Sequence, residues 1–89
     1  MSLITFTVND DAAGQKNSVS CKDDIDAEKF MLDYVTKYTD YVTLDTKIYI
    51  FKVGIKIINS NKYLKTKLRD LVQNGSLVNF IRKQGLHYS

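Results

Sequence analysis

Asn74-Gly75-Ser76-Leu77-Val78-Asn79-Phe80-Ile81-Arg82-Lys83-Gln84-Gly85 decides the reading of this chain. Asn-Gly supplies two residues that tolerate positive φ, so the backbone can reverse there. Val78 and Phe80 then alternate with Leu77, Asn79 and Ile81, the period of a strand with two different faces. After Ile81 the sequence turns polar through Arg82 and Lys83. It reaches a glycine with only Leu86-His87-Tyr88-Ser89 beyond it. The pattern is a last strand that thins into a polar arm.

Working outward, Leu3 to Val8 alternates in the same way. Ile4, Phe6 and Val8 share one face, while Leu3, Thr5 and Thr7 share the other, as in a half-buried strand. Residues 9–17 are polar and contain Gly14, which reads as a long loop. Ser18 to Lys22 gives a second strand, with Val19 and Cys21 on one face. Asp23-Asp24-Ile25-Asp26 opens a helix. Asp24 or Asp26 is placed to cap it, and Glu28 complements the dipole. Phe30, Met31, Tyr34, Val35, Tyr38 and Val42 recur at three- and four-residue spacing as one apolar stripe. Asp33 and Lys37 stand at i, i+4 on the other side, and the helix is expected to fade over residues 39–43. Lys47 to Val53 reads as a third strand, in which Tyr49 and Phe51 alternate with Ile48 and Ile50. Gly54 allows a turn into a short strand over residues 55–58. Leu64, Leu68, Leu71 and Val72 have helical spacing and predict a short second helix.

This order fits an α+β chain in which the first and last strands lie parallel, side by side. The long helix then crosses one face of a mixed sheet of four to five strands, the β-grasp arrangement. Eighty-nine residues suit one small domain, and 44% hydrophobic with 26% charged residues is an ordinary globular balance. No stretch approaches the ~20 apolar residues of a membrane span. The first residues lack the pattern of a secretory signal. A single cysteine permits no internal disulfide, so a cytoplasmic or nuclear setting is expected.

Little in the sequence supports catalysis, and no enzymatic activity is expected. The one histidine, His87, is the third residue from the end. Cys21 alternates with Val19 and reads as a small core residue rather than a nucleophile. One Cys and one His do not make a structural zinc site. The four glycines form no phosphate loop, and no cofactor is expected. Asp10-Asp11 and Asp23 to Asp26 lack the spacing of a calcium loop. Asn74-Gly75-Ser76 matches a glycosylation sequon, but the turn explains it better. Nucleic-acid binding is a rival. Lys62, Lys65, Lys67 and Arg69 cluster with Tyr63 among them, and Tyr49 and Phe51 can face outward as stacking positions. The net charge of only +3 and eleven lysines against two arginines argue against a dedicated phosphate surface.

The chain resembles ubiquitin-like modifiers, most closely the ubiquitin-fold modifier family, whose attachment is called ufmylation. Gly54-Ile55-Lys56-Ile57-Ile58-Asn59 is similar to that family's Gly-Ile-x-Ile-Asn turn, with one extra residue. Leu71-Val72-Gln73-Asn74-Gly75-Ser76 looks like the end of its segment before the last strand. Ser2 and Phe6 fit its Ser-x-x-x-Phe opening. Arg82-Lys83-Gln84-Gly85 followed by Leu86-His87-Tyr88-Ser89 has the layout of its basic arm, glycine and removable tail. Gln84 stands where the family has valine, and the family's arm proline and aspartate are missing.

The resemblance implies a domain over residues 1–85 and a tail over 86–89 that a maturation protease removes. An activating enzyme would adenylate the Gly85 carboxylate and capture it as a thioester. A conjugating enzyme would then pass it to a lysine of a protein target. Glycine suits that role because without a Cβ it threads a narrow channel and leaves its carbonyl open to attack. Arg82 and Lys83 are the arm residues in this reading. Leu77, Asn79 and Ile81, joined by Tyr49 and Phe51, form the expected partner-binding patch. A slip of one residue would instead put those side chains in the core. The alternative is a β-grasp interaction or oligomerisation module that never conjugates.

Overall fold

The computed structural model of the chain describes residues 2–83. It contains five strands and one α-helix: β1 (Leu3–Asp10), β2 (Gln15–Lys22), α1 (Ala27–Tyr38), β3 (Tyr49–Val53), β4 (Lys56–Ile57) and β5 (Leu77–Arg82). The strands form one sheet in the order β2-β1-β5-β3-β4. β1 and β5 run parallel, with Val8 beside Val78 and Asp10 beside Phe80. The other pairs are antiparallel. This is the expected β-grasp order, with β5 in the middle of the sheet.

The inner rows of the strands carry the core. Ile4, Phe6 and Val8 of β1, Tyr49 and Phe51 of β3, and Val78 and Phe80 of β5 are buried against Phe30, Met31, Tyr34 and Val35 of α1. Aromatic rings dominate the contact. Phe51 stacks on Phe80 with centroids 4.8 Å apart, and Phe30 meets Phe6 edge-on at 5.1 Å. Such pairs add about 0.5–1.5 kcal/mol each beyond the area they bury.

Three local expectations are corrected. The long loop over residues 9–17 is instead a tight turn. β1 and β2 pair as far as Asp10 and Gln15, and Gly14 takes φ 67°. The Ala13 amide donates to Asp10 Oδ1, which closes the turn. The helix ends at Tyr38, because Thr39 takes extended backbone angles (φ −142°, ψ 178°) while its hydroxyl and amide close the last turn by donating to the Val35 carbonyl. Val42 therefore leaves the apolar stripe and is exposed. Lys29, not Lys37, pairs with Asp33, at 3.4 Å on the open face of α1.

The short second helix is only a 3-10 turn, Leu68–Asp70. Its neighbourhood is occupied with another task. The Ala27 and Glu28 amides at the start of α1 donate to the Thr66 and Leu64 carbonyls, and the Leu68 and Arg69 amides donate to Ile25 and Asp23. Those carbonyls and amides are then lost to an α-helical ladder of their own. The same bonds replace the expected aspartate cap: Asp26 is the N-cap residue but makes no side-chain capping bond. The orphan amides of a helix start need acceptors, and here the 64–66 backbone supplies them.

The Asn74-Gly75 reversal docks on β1. Gly75 takes φ 84°, and its amide donates to the Thr5 carbonyl at 2.8 Å. Asn74 Oδ1 accepts from the Thr5 amide at 2.9 Å. The turn thus delivers β5 into the parallel register beside β1.

Candidate functional site

The exit of β5 is the natural place to look, because it carries the chain toward Gly85. Parity along the strand decides what each residue does there. Val78, Phe80 and Arg82 point to the core side, while Leu77, Asn79 and Ile81 point away from it. On β1 the same inner row reads Ile4, Phe6, Val8 and Asp10. Each inner row therefore ends in a charge. Arg82 Nη2 donates to Asp10 Oδ2 at 2.7 Å, with the Asp10 side chain only 3% exposed. The guanidinium also lies over the rings of Phe80 and Tyr41, at 5.2 and 5.8 Å from their centroids. Lys83 is exposed, but its amide still donates to the Ile48 carbonyl at 2.8 Å.

These positions correct the expected arm. Arg82 is a strand residue held by Asp10, not a free arm residue. The sequence carries a signal for this. The inward alternation, followed two residues further, lands on Asp10 and Arg82, and two opposite charges closing adjacent inner rows are placed to pair. Gly85 and the expected tail Leu86, His87, Tyr88 and Ser89 lie outside the described residues.

The outer face of the sheet keeps part of the expected patch. Leu77 is 47% exposed, and Asn79 and Ile81 are half-buried. Tyr49 and Phe51 do not join them, since both are fully buried. The register explains the reversal. Ile50 stands directly opposite Ile81, so Ile50 shares its outward face, and Tyr49 and Phe51 must point inward. Ile50 and Lys52 fill the positions expected for the two aromatics, and Ile57, opposite Lys52, extends the face onto β4. The resulting surface mixes aliphatic side chains with Lys52, Asn79 and Asn9, whose Nδ2 donates to Asn79 Oδ1 at 3.2 Å. No stacking ring remains on it from β3, which removes the support that those positions lent to nucleic-acid binding.

A groove of about 210 Å³ lies between β2 and α1, lined in part by Val19, Cys21, Ile25, Phe30, Tyr34 and Tyr38. Burial pushes the Cys21 thiol above its ordinary pKa, and nearby Asp33 adds to the shift. The thiol is therefore kept in its unreactive protonated form. Among the described residues, no group of three or more His, Cys, Asp or Glu side chains could hold a metal ion. No helix there is long and apolar enough to cross a membrane.

Tyr49 gives the domain a defined alkaline limit. Its hydroxyl donates to the Thr43 carbonyl, and its ring stacks on Tyr41. Burial, with Tyr41 and Asp45 adding, pushes its pKa up to about 12. An unfolded tyrosine loses its proton near ~10. Between those values the unfolded chain binds fewer protons, so stability falls as pH rises. The contribution is complete below pH ~10 and amounts to at most roughly 2–3 kcal/mol. Urea midpoints should fall more steeply above pH ~10 in the native protein than in Tyr49→Phe, which has no phenol to titrate. Parallel pH profiles for the two proteins would contradict this assignment.

No protein-family model matches the chain, and no curated protein matches it either. Solved structures do. The ubiquitin-like domain of yeast Ddi1 superimposes with a TM-score of 0.72 at 13% identity, over 94% of this chain and 93% of that one. The chain has a ubiquitin-like fold. A de novo design based on ubiquitin matches with a TM-score of 0.65 at 11% identity, over 98% of this chain and 96% of the design. A further N-terminal ubiquitin-like domain matches at 0.60 and 14%, over 98% of this chain and 81% of its own. At these identities the likeness concerns the fold alone. Within this ubiquitin-like frame, β5 is the middle strand whose end leads to Gly85, and the outer sheet face is the broad surface beside it.

Proposed function

We propose that this chain is a ubiquitin-like modifier, joined to target lysines through Gly85 once Leu86–Ser89 have been removed. The observation that carries the reading is the position of the last sheet bond. Among the described residues it is made by Lys83, at the end of the central strand, and Gly85 follows two positions later in the sequence. In this reading Gly85 is offered to an enzyme without unfolding the domain. The finer assignment to the ufmylation family rests on the resemblances around Gly54 to Asn59 and Leu71 to Ser76. The maturation protease, activating enzyme and conjugating enzyme are the partners this reading requires, and it makes the chain a substrate rather than an enzyme. The domain proper is then residues 1–85, acting in the cytoplasm or nucleus.

A second reading has its own observation. The Asp10–Arg82 pair ties down what would otherwise be the first residue of the arm. A ubiquitin-like interaction domain that never conjugates has no need of a long arm, and would work through the outer face around Leu77, Ile81, Ile50 and Ile57.

One experiment separates the two. The chain is expressed with an N-terminal tag in cells of its source, as native protein and as Gly85→Ala. Conjugation predicts slower-migrating adducts that survive boiling in reductant and disappear in Gly85→Ala. The interaction reading predicts no such adducts and equal recovery of non-covalent partners by both proteins. Truncation after Gly85 should preserve the adducts, because it only performs the maturation step in advance.

A further inference from the structure

The charged ends of the two inner rows do more than fill space. Asp10 is almost wholly buried, and both of its carboxylate oxygens are used: Oδ1 accepts from the Ala13 amide and Oδ2 from Arg82. The pair therefore links three things at one point, namely the β1–β2 turn, the end of β5 and, through the ring of Tyr41, the segment that follows α1. Arg82 Nε is buried with no acceptor among the described residues, so the guanidinium is held by Asp10 and the rings rather than by a full set of bonds. Tyr34 lies close to the same charges, and its hydroxyl accepts from Asn17 Nδ2 at 2.9 Å.

We propose that Asp10 and Arg82 form a latch that holds the end of β5 in the sheet. With the latch closed, sheet bonding among the described residues runs through Lys83. With it open, the strand can release back to Phe80, whose fully buried ring stops further fraying. In the conjugation reading, a catalytic channel deep enough to need residues of β5 must open the latch. Asp10 is thus a positioning residue for the arm. This last consequence rests on the conjugation reading, whereas the latch itself does not.

Trypsin reads the latch directly in the free protein, because Arg82 must enter the protease pocket before the Arg82–Lys83 bond is cut. In the native protein, cleavage after exposed Lys83 should run about tenfold faster than cleavage after Arg82. Asp10→Asn keeps the shape of the side chain but removes its charge. It should raise cleavage after Arg82 by about tenfold, while cleavage after Lys52, inside β3, changes little. Arg82→Lys, which trypsin also accepts, keeps the charge without the planar fork and should fall between. The proposal is overturned if native Arg82 is cut as fast as Lys83. It is equally overturned if Asp10→Asn accelerates Lys52 by the same factor, since the pair would then act only through global stability. Loss or survival of adducts in Gly85→Ala leaves these rates untouched, so the latch and the conjugation reading fail separately.

Discussion

Phe80→Ala is expected to cost the domain about 3–5 kcal/mol and to lower its melting point by at least roughly 12 °C. Phe80 lies in the central strand and is completely buried. It stacks on Phe51 at 4.8 Å and meets Tyr49 and Tyr34 edge-on at 5.1 and 5.8 Å. No side chain nearby is free to fill the space, because the neighbouring rings are held by one another. Truncating a buried phenylalanine costs about 3–5 kcal/mol. A domain of this size holds only about 4–13 kcal/mol in total. Each kcal/mol moves the melting point of so small a domain by about 4–8 °C, so a drop of at least roughly 12 °C is expected in calorimetry. Leu77→Ala, three residues earlier on the exposed face, should move it by only a few degrees. Equal shifts for the two variants would mean that the inner and outer faces of β5 are wrongly assigned.

Asn59 should show the second large effect. It is fully buried, and its side chain stands in for a strand partner of β3. Oδ1 accepts from the Phe51 amide at 3.1 Å, and Nδ2 donates to the Tyr49 carbonyl at 3.0 Å. Asn59→Leu has nearly the same size but abandons both backbone groups. Each buried orphan costs about 1–3 kcal/mol, so a loss of about 2–6 kcal/mol is expected in urea unfolding. Asn59→Asp gives a sharper test. Its carboxylate accepts from Phe51 but has nothing to donate to Tyr49, and burial disfavours its charge. Its folded pKa is therefore raised, the proton restores a donor, and the variant gains stability relative to the native protein as pH falls toward ~4. A pH-independent difference between Asn59→Asp and the native protein would contradict the two-bond role.

Much of this architecture can be read from alternation alone. Ile4, Phe6 and Val8, Val78 and Phe80, and the Phe30 to Val35 stripe each declare a buried face. The Asn74-Gly75 turn declares where the last strand begins. What alternation cannot supply is the phase of one strand against another. Tyr49 and Phe51 look as fit for an outer patch as Ile48 and Ile50 until the pairing of Ile50 with Ile81 assigns the faces. Helical spacing at Leu64, Leu68, Leu71 and Val72 is likewise misleading. The spacing reports burial, but the backbone there is committed to the start of α1. Asp10 was legible as a loop residue and proves to be buried. Its partner lies seventy-two positions away, and the alternation that carries both onto inner rows points to the pair only once β1 and β5 are set side by side.

The conjugation proposal has one measurement that reaches it without knowledge of any enzyme. Proteins from source cells are digested with trypsin, which cuts after Lys83, and lysine side chains are searched by mass spectrometry for an attached Gln84-Gly85 remnant. If Gly85 is the point of attachment, that remnant appears on target lysines in cells carrying the native chain and vanishes with Gly85→Ala. If every recovered copy instead continues through Leu86-His87-Tyr88-Ser89 and no lysine carries the remnant, the domain acts by binding alone.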